Sequence, residues 1–384
     1  MEFTHYLPTK VIFGKGTVGR VGEEVKRLGG SKVLLVTTGN LLEVTGYLDI
    51  ISKSLSSFGI SYILFNEVEE NPSIETCEKG ARIAKEAGVN AIVAFGGGSA
   101  MDAGKAISVL LSLGGRISDY FFPKVVEGTT IPVIAISTTC GTGAEVTRYA
   151  IITDLSTKRK NTMAGPAVLP KVAIVDPEVL RSIPKKLLAW TALDALSHAI
   201  EAYTSRASTP ISDGVAIIAI DYIMRYLISA YEGDEEAKAK LHIASTLGGM
   251  AINDAGTTII HAAGYYLTTH HNVHHGLANA ILMPFMLEYN LKYLDGGKLN
   301  VLLRVVAASS IEEFIKSLCK LMDAVGIPDS VAEVGFKEEE LDAMAVDVVG
   351  YKRNISNNPS PVSEEIVKNL MRKALLGRSK VYGK

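Results

Sequence analysis

The sequence predicts an α/β domain built on a parallel sheet over residues 1–180, followed by an all-helical domain over residues 181–384. Three observations carry this. The chain has 384 residues, long enough for two separate cores. Its first half alternates apolar, β-rich runs with helical patterns, as strands covered on both faces do. From about Pro184 onward the β-branched runs vanish and long helical patterns replace them.

The elements follow in order. A short apolar strand at 10–13 leads into a turn. Residues 32–38 read as a strand ending at Gly39-Asn40, and 61–65 as a second. Residues 74–87 carry apolar side chains at helical spacing and stop at Gly88. Further strands fall at 90–95, 131–136 and 172–176. Helices are expected over 187–204, 213–231 and 235–250, with a last one over 362–375 capped by Ser363. No internal repeat or low-complexity segment interrupts them.

Composition excludes several function classes. The net charge of −2 offers no basic surface for nucleic acid and no polybasic membrane anchor. The N-terminus lacks the charged-then-apolar pattern of a secretory signal, and no apolar stretch is long enough to span a bilayer. Cys77, Cys140 and Cys319 are odd in number and widely spaced, which speaks for a reducing cytoplasm rather than a disulfide framework.

The histidines carry the chemistry. Five of the eight, His261, His270, His271, His274 and His275, fall within fifteen residues. Asp194 and His198 lie four apart in a helical pattern, which puts carboxylate and imidazole on one face. Oxygen and nitrogen donors of this kind suit a borderline divalent cation such as iron, zinc or manganese. A solitary pair at this spacing is more often a surface acid and a core histidine, so the companion histidines matter. Glu201 reads as a supporting residue, Lys105 as a solvated helix residue, and Trp190 as packing or a pocket wall.

Three glycine-rich stretches compete for a phosphate. Gly14-Lys-Gly16-Thr-Val-Gly19 matches a dinucleotide pattern, but no ribose-binding acid follows at the end of the next strand. Gly96-Gly97-Gly98-Ser99 follows an apolar strand and opens a helix, where bare backbone amides and the helix terminus suit a pyrophosphate. It is not a Walker loop, because Ala106 stands where Ser or Thr is required. Ser137 to Thr147 also follows a strand and offers hydroxyls and amides.

Taken together these residues resemble the iron-activated (group III) alcohol dehydrogenases, relatives of lactaldehyde reductase, butanol dehydrogenase and propanediol dehydrogenase. The resemblance runs nearly end to end. It includes Phe13-Gly14-Lys-Gly16, Asn71-Pro72, Gly96-Gly-Gly-Ser99-x-x-Asp102 and Thr138-Thr-x-Gly-Thr142-x-x-Glu145-Val-Thr147. It continues through Ile152-Thr-Asp154, Asp194-Ala-Leu-x-His198-Ala-Ile-Glu-Ala-Tyr203, His275-Gly276-x-Ala-Asn279 and Val325-Gly-Ile-Pro328.

The resemblance implies a dehydroquinate-synthase-like fold, with a dinucleotide-binding domain and a helical metal domain facing across a cleft. It implies metal ligation by Asp194, His198, His261 and His275. It places the pyrophosphate at Gly97, Gly98 and Ser99, with further cofactor contacts at Asn71, Asp102, Thr138, Thr139, Thr142, Thr147 and Lys160. Hydride would pass between a small alcohol or aldehyde and a nicotinamide cofactor. A homodimer or higher oligomer is implied through the region of residues 10–13. The alternative on the same fold is a carbon–oxygen lyase of the dehydroquinate synthase kind, but the metal-motif segments carry almost none of the Lys and Arg a phosphorylated acid substrate requires. A metal-storage protein would leave Gly96-Gly-Gly-Ser99 without a purpose.

The chain departs from the family pattern in places. Tyr265 stands where many members have histidine, Asp254 where many have asparagine, and the segment before His275 is rich in imidazole. We expect His271 or Tyr265 to help exchange the alcohol proton with solvent. After the strand at 32–38 no acid appears until Glu43, so nothing local repels a 2′-phosphate. Thr38, Gly39 and Asn40 offer donors instead, which predicts a preference for NADP over NAD.

Overall fold

The computed structural model describes residues 2–157 and 159–383. They form two compact units, one of Tyr6–Ile183 and one of Met1–His5 with Pro184–Lys384.

The first unit holds strands β1 (Lys10–Phe13), β2 (Lys32–Val36), β3 (Ser61–Phe65), β4 (Ala91–Gly96), β5 (Val133–Ser137), β6 (Tyr149–Asp154), β7 (Arg159–Ala164) and β8 (Val172–Val175). Helices α1 (Val21–Arg27), α2 (Leu41–Val44), α3 (Tyr47–Ser57), α4 (Ile74–Glu86) and α5 (Gly98–Leu113) connect them. Six strands make one sheet in the order β1-β8-β5-β4-β2-β3, and every pairing in it is parallel. Each residue of β4, β5 and β8 is buried, as central strands covered on both faces must be. The edge strands β1 and β3 are more exposed.

The antiparallel pair β6–β7 was not anticipated. Its second strand reads Arg-Lys-Asn-Thr-Met-Ala and has no apolar run to betray it. The glycines at 14–19 lead into a short 3₁₀ turn and α1, the plain reading of that stretch.

The second unit is helical. It contains α6 (Lys185–Thr204), α7 (Pro210–Glu232), α8 (Glu235–Ala255), α9 (Ile259–His271) and α10 (His275–Leu291), then six further helices, α11–α16, between Gly296 and Tyr382. The imidazole-rich segment before His275 is mostly helix. His270 and His271 occupy the last turn of α9, where the helix dipole favours basic side chains. Asn272, left-handed at φ 52°, ends α9, and His274 caps α10 by accepting from the Gly276 N–H.

Candidate metal centre and dinucleotide loops

In the helical unit, α6 presents Asp194 and His198 one turn apart, both buried. His261 comes from the first turn of α9 and His275 opens α10. Asp194, His261 and His275 each offer a ligand atom, and these atoms lie within 4.8 Å of one another. His198 joins them through its Nε2, 2.9 Å from His261 Nε2. The four side chains singled out in the sequence thus come together. His275 is the most open of them, with 21% of its side chain exposed.

Glycines permit this approach. A Cβ at Gly276 would lie 2.3 Å from the Trp190 carbonyl oxygen, so only glycine lets α10 start against α6. A Cβ at Gly264 would lie 1.9 Å from Asn279 Oδ1, so the bare backbone of α9 makes room for that amide.

Two residues support the cluster: Glu201, read from the sequence as a supporting residue, and Asn279, which had no assigned role. Asn279 Nδ2 donates to Asp194 Oδ1 at 2.8 Å and lies 3.2 Å from His275 Nε2. Glu201, one turn beyond His198, accepts through Oε1 from the Thr258 N–H (2.9 Å), the Thr258 hydroxyl (2.5 Å) and the Ile260 N–H (2.9 Å). It thereby caps α9, while its Oε2 takes the His261 Nδ1–H. Helical spacing from His198 marked Glu201 as a supporting residue, but spacing indicates a face without a partner.

The donor set fits a divalent cation. With Glu201 accepting at Nδ1, neutral His261 turns the lone pair of Nε2 toward His198 and Asp194. Burial raises the Asp194 carboxyl, but the imidazoles of His198, His275 and His261 and the Asn279 amide outweigh it and hold the group far below the usual carboxylate range. An ionised carboxylate buried among imidazole nitrogens is a borderline N/O cage of the kind iron and zinc occupy.

The remaining imidazoles point elsewhere. His271 Nε2 pairs with Glu340 Oε2 at 2.8 Å, and its ring packs on Phe336. His270 stacks on Tyr266, and His274 packs on Trp190. Tyr265 stacks on His275 with ring centroids 5.4 Å apart. Burial pushes its phenol well above the ordinary tyrosine range, so the hydroxyl keeps its proton.

In the α/β unit, β4 ends at Gly96 and α5 begins at Gly98. Side chains at Gly97 and Gly98 would meet Thr139 Cγ2 at 3.2 Å and Thr142 Cγ2 at 2.7 Å, so the second and third glycine-rich stretches interlock. The Thr138 N–H donates to the Gly96 carbonyl at 3.0 Å, joining them by backbone as well. Asn71, at φ 59°, donates its N–H to Ser99 Oγ at 3.2 Å. Asp102 Oδ2 accepts from the Ile151 N–H at 3.0 Å, and Lys160 pairs with Thr153 across the β6–β7 ladder.

Two expectations need correction here. Lys105 is not solvated: it is 1% exposed, and its Nζ donates to the Tyr149 carbonyl, Thr147 Oγ1 and Asp102 Oδ1. Helical position shows which way a side chain faces, whereas the unforeseen β6–β7 pair is what covers it. Of the three donors offered after β2, the Gly39 N–H is already given to the Asn66 carbonyl at 2.8 Å. The turn also has an acidic neighbour from another strand end. Glu67 bridges to Thr38 through the backbone, and its carboxylate pairs with Lys79.

The model of the iron-containing alcohol dehydrogenases matches residues 8–177, and that of the Fe-containing alcohol dehydrogenase family C-terminal domain matches residues 188–375. The NAD-dependent methanol dehydrogenase of Bacillus methanolicus is 34% identical, over 88% of this chain and 91% of that one. The NADPH-dependent butanol dehydrogenase of Clostridium saccharobutylicum is also 34% identical, over 88% of each chain. A crystal structure of 1,3-propanediol oxidoreductase superposes with a TM-score of 0.93 at 32% identity, covering 98% of this chain and all (100%) of that one. Matched in both halves and along nearly its whole length, the chain belongs to the iron-containing alcohol dehydrogenase family, whose chemistry is the interconversion of alcohols and aldehydes.

Proposed function

We propose that this chain is a metal-dependent alcohol dehydrogenase or aldehyde reductase that uses a nicotinamide dinucleotide, NADP in preference to NAD. The observation that carries the reading is the convergence of Asp194, His198, His261 and His275, with Glu201 fixing the tautomer of His261. Those four residues would hold the cation, iron first and zinc or manganese as alternatives. When bound, such a cation supplies Lewis acidity at the oxygen of a small alcohol or aldehyde, and the nicotinamide accepts or returns the hydride. The side chains do the rest. Asp194 brings the negative charge that makes the cage selective for a cation. Tyr265 covers one face of the His275 ring and excludes water from it. Gly97, Gly98 and Ser99 would receive the pyrophosphate at the start of α5, and Asn71, Asp102, Thr138, Thr139, Thr142, Thr147 and Lys160 the remaining polar atoms of the dinucleotide.

Metal-free protein reconstituted with each cation and given a panel of alcohols should produce reduced nicotinamide with at least one metal. His275→Ala and His198→Ala should neither retain metal nor turn over. Full activity in a metal-free His275→Ala protein would rule the site out.

Cofactor choice rests on the turn after β2. The relatives' names include both an NAD-dependent and an NADPH-dependent enzyme at the same identity, so the chain's own residues must decide. Thr38 and Asn40 supply the donors for a 2′-phosphate, and Lys79 offsets the charge of Glu67 beside them. The ratio of catalytic efficiencies, NADP over NAD, should exceed one. It should rise in Glu67→Gln and fall in Gly39→Asp. A wild-type ratio in favour of NAD would overturn the preference.

A further inference from the structure

Lys105 is a buried cation that the proposed chemistry leaves unused. Its ammonium has three N–H groups and meets three acceptors: the Tyr149 carbonyl at 2.7 Å, Thr147 Oγ1 at 3.2 Å and Asp102 Oδ1 at 3.3 Å. The neighbouring helix positions Ala103, Ala106 and Ile107 are buried and apolar. An apolar side chain at 105 would serve packing at least as well, since a buried ion pair seldom adds more stability than the hydrophobic contacts it displaces. The value of this one lies in the orientation it imposes.

We infer that Lys105 is a positioning residue of the dinucleotide site, which fixes the Asp102 carboxylate and turns the Thr147 hydroxyl outward as a donor. The inference rests on the proposed function. A lysine ammonium can only donate, so Thr147 Oγ1 must accept from it. The hydroxyl proton of Thr147 is therefore directed away from Lys105 and is offered to an acceptor atom of the dinucleotide. Asp102 is held at both oxygens, by Lys105 at Oδ1 and by the Ile151 N–H at Oδ2. One side chain on the second turn of α5 thus joins the helix that begins at the glycine loop, the end of the Ser137–Thr147 stretch and the first strand of the β6–β7 pair. Asp102 and Thr147 are both proposed above to meet the dinucleotide, and Lys105 joins their side chains directly.

The test is the equilibrium dissociation constant of NADPH and of NADH, read by fluorescence, in Lys105→Met, Thr147→Val and the double variant. Ser108→Ala, one turn further along α5, removes a buried hydrogen bond to the Ile131 carbonyl and serves as a control for lost stability. Lys105→Met should weaken both dinucleotides about tenfold or more, because each partner left unpaired costs on that order. The double variant should be no weaker than the worse single one, since both changes act through the same hydroxyl. Ser108→Ala should lower the Tm and leave both constants unchanged. Should Lys105→Met fail to fold, Asp102→Asn/Lys105→Met removes the stranded charge and is compared with Asp102→Asn alone, with the same loss expected. Dissociation constants within twofold of wild type, or losses from Lys105→Met and Thr147→Val that simply multiply, would overturn the inference while leaving the proposed function standing. Wild-type protein that binds neither dinucleotide would overturn both.

Discussion

Glu201 illustrates how one side chain can set the state of another. Its carboxylate caps α9 and faces His261 Nδ1 at the same time, so the helix terminus and the imidazole tautomer share one determinant. Glu201→Gln keeps an acceptor for the Thr258 and Ile260 amides but offers His261 an N–H on the other side. We expect that protein to fold and to bind metal about 10–100-fold more weakly, as loss of a carboxylate behind a ligating histidine does. Titration with a metallochromic competitor measures it, and wild-type affinity would contradict the role. His271 is a useful contrast. Its Nε2 is committed to Glu340, so we expect His271→Ala to leave the pH–rate profile unchanged, in contrast to the proton exchange expected from the family histidine missing at Tyr265 and the imidazole cluster nearby. The four converging side chains were legible, because Asp194 and His198 share a helix face and the family resemblance points to His261 and His275. Glu201 was read as a supporting residue, but its partners and the role of Asn279 were not legible, because they lie 57 to 85 residues away in the chain, which no local spacing encodes.

At the level of elements, the strands were legible wherever a sheet position is buried on both sides. The continuous apolar runs of β2, β4, β5 and β8 leave little choice. The β6–β7 pair escaped notice because its burial is partial and its composition polar. Helix α9 escaped because histidines and threonines crowd its second half, although the tertiary contacts of α9 and α10 override that weak propensity. The seating of α10 on α6 depends on Gly276. The Cβ of Gly276→Ala would have to move off the Trp190 carbonyl, displacing His275 from Asp194. The cost is about 1–3 kcal/mol of stability, the usual range for overpacking, together with loss of bound metal. Thermal melts and metal analysis of the same preparation report both, and a variant with wild-type metal content would show that α10 can shift without losing the ligand. A second element-level prediction concerns acid. Burial pushes the Glu24 carboxyl of α1 up, but Lys10 of β1 and Arg27 outweigh it and hold the group below its ordinary value. A depressed pKa contributes stability above the unfolded value and loses it as pH falls through the folded one. Glu24→Gln should therefore melt a few degrees below wild type at neutral pH, with the gap closing on acidification. A gap that widens in acid would contradict this sign.

For the whole molecule, the sheet edge suggests assembly. Among the described residues strand β1 has a neighbour on one side only, and Phe13 at its end is 45% exposed. We propose a homodimer or higher oligomer that uses this edge, and Phe13→Asp should shift light scattering toward the monomer mass. A wild-type protein that is monomeric at micromolar concentration would contradict it. No helix among the described residues is long and apolar enough to cross a membrane, in keeping with the sequence reading. The order of synthesis gives the division into units a further meaning. His5 groups with the helical unit, and its Nδ1 pairs with Asp254 at 2.7 Å, 249 residues later in the chain. A ribosome therefore releases the whole α/β unit before the partner of His5 exists. The N-terminal segment must wait, unpaired, through the completion of one core before it can enter the other, so the helical unit is the last part of the chain that can close.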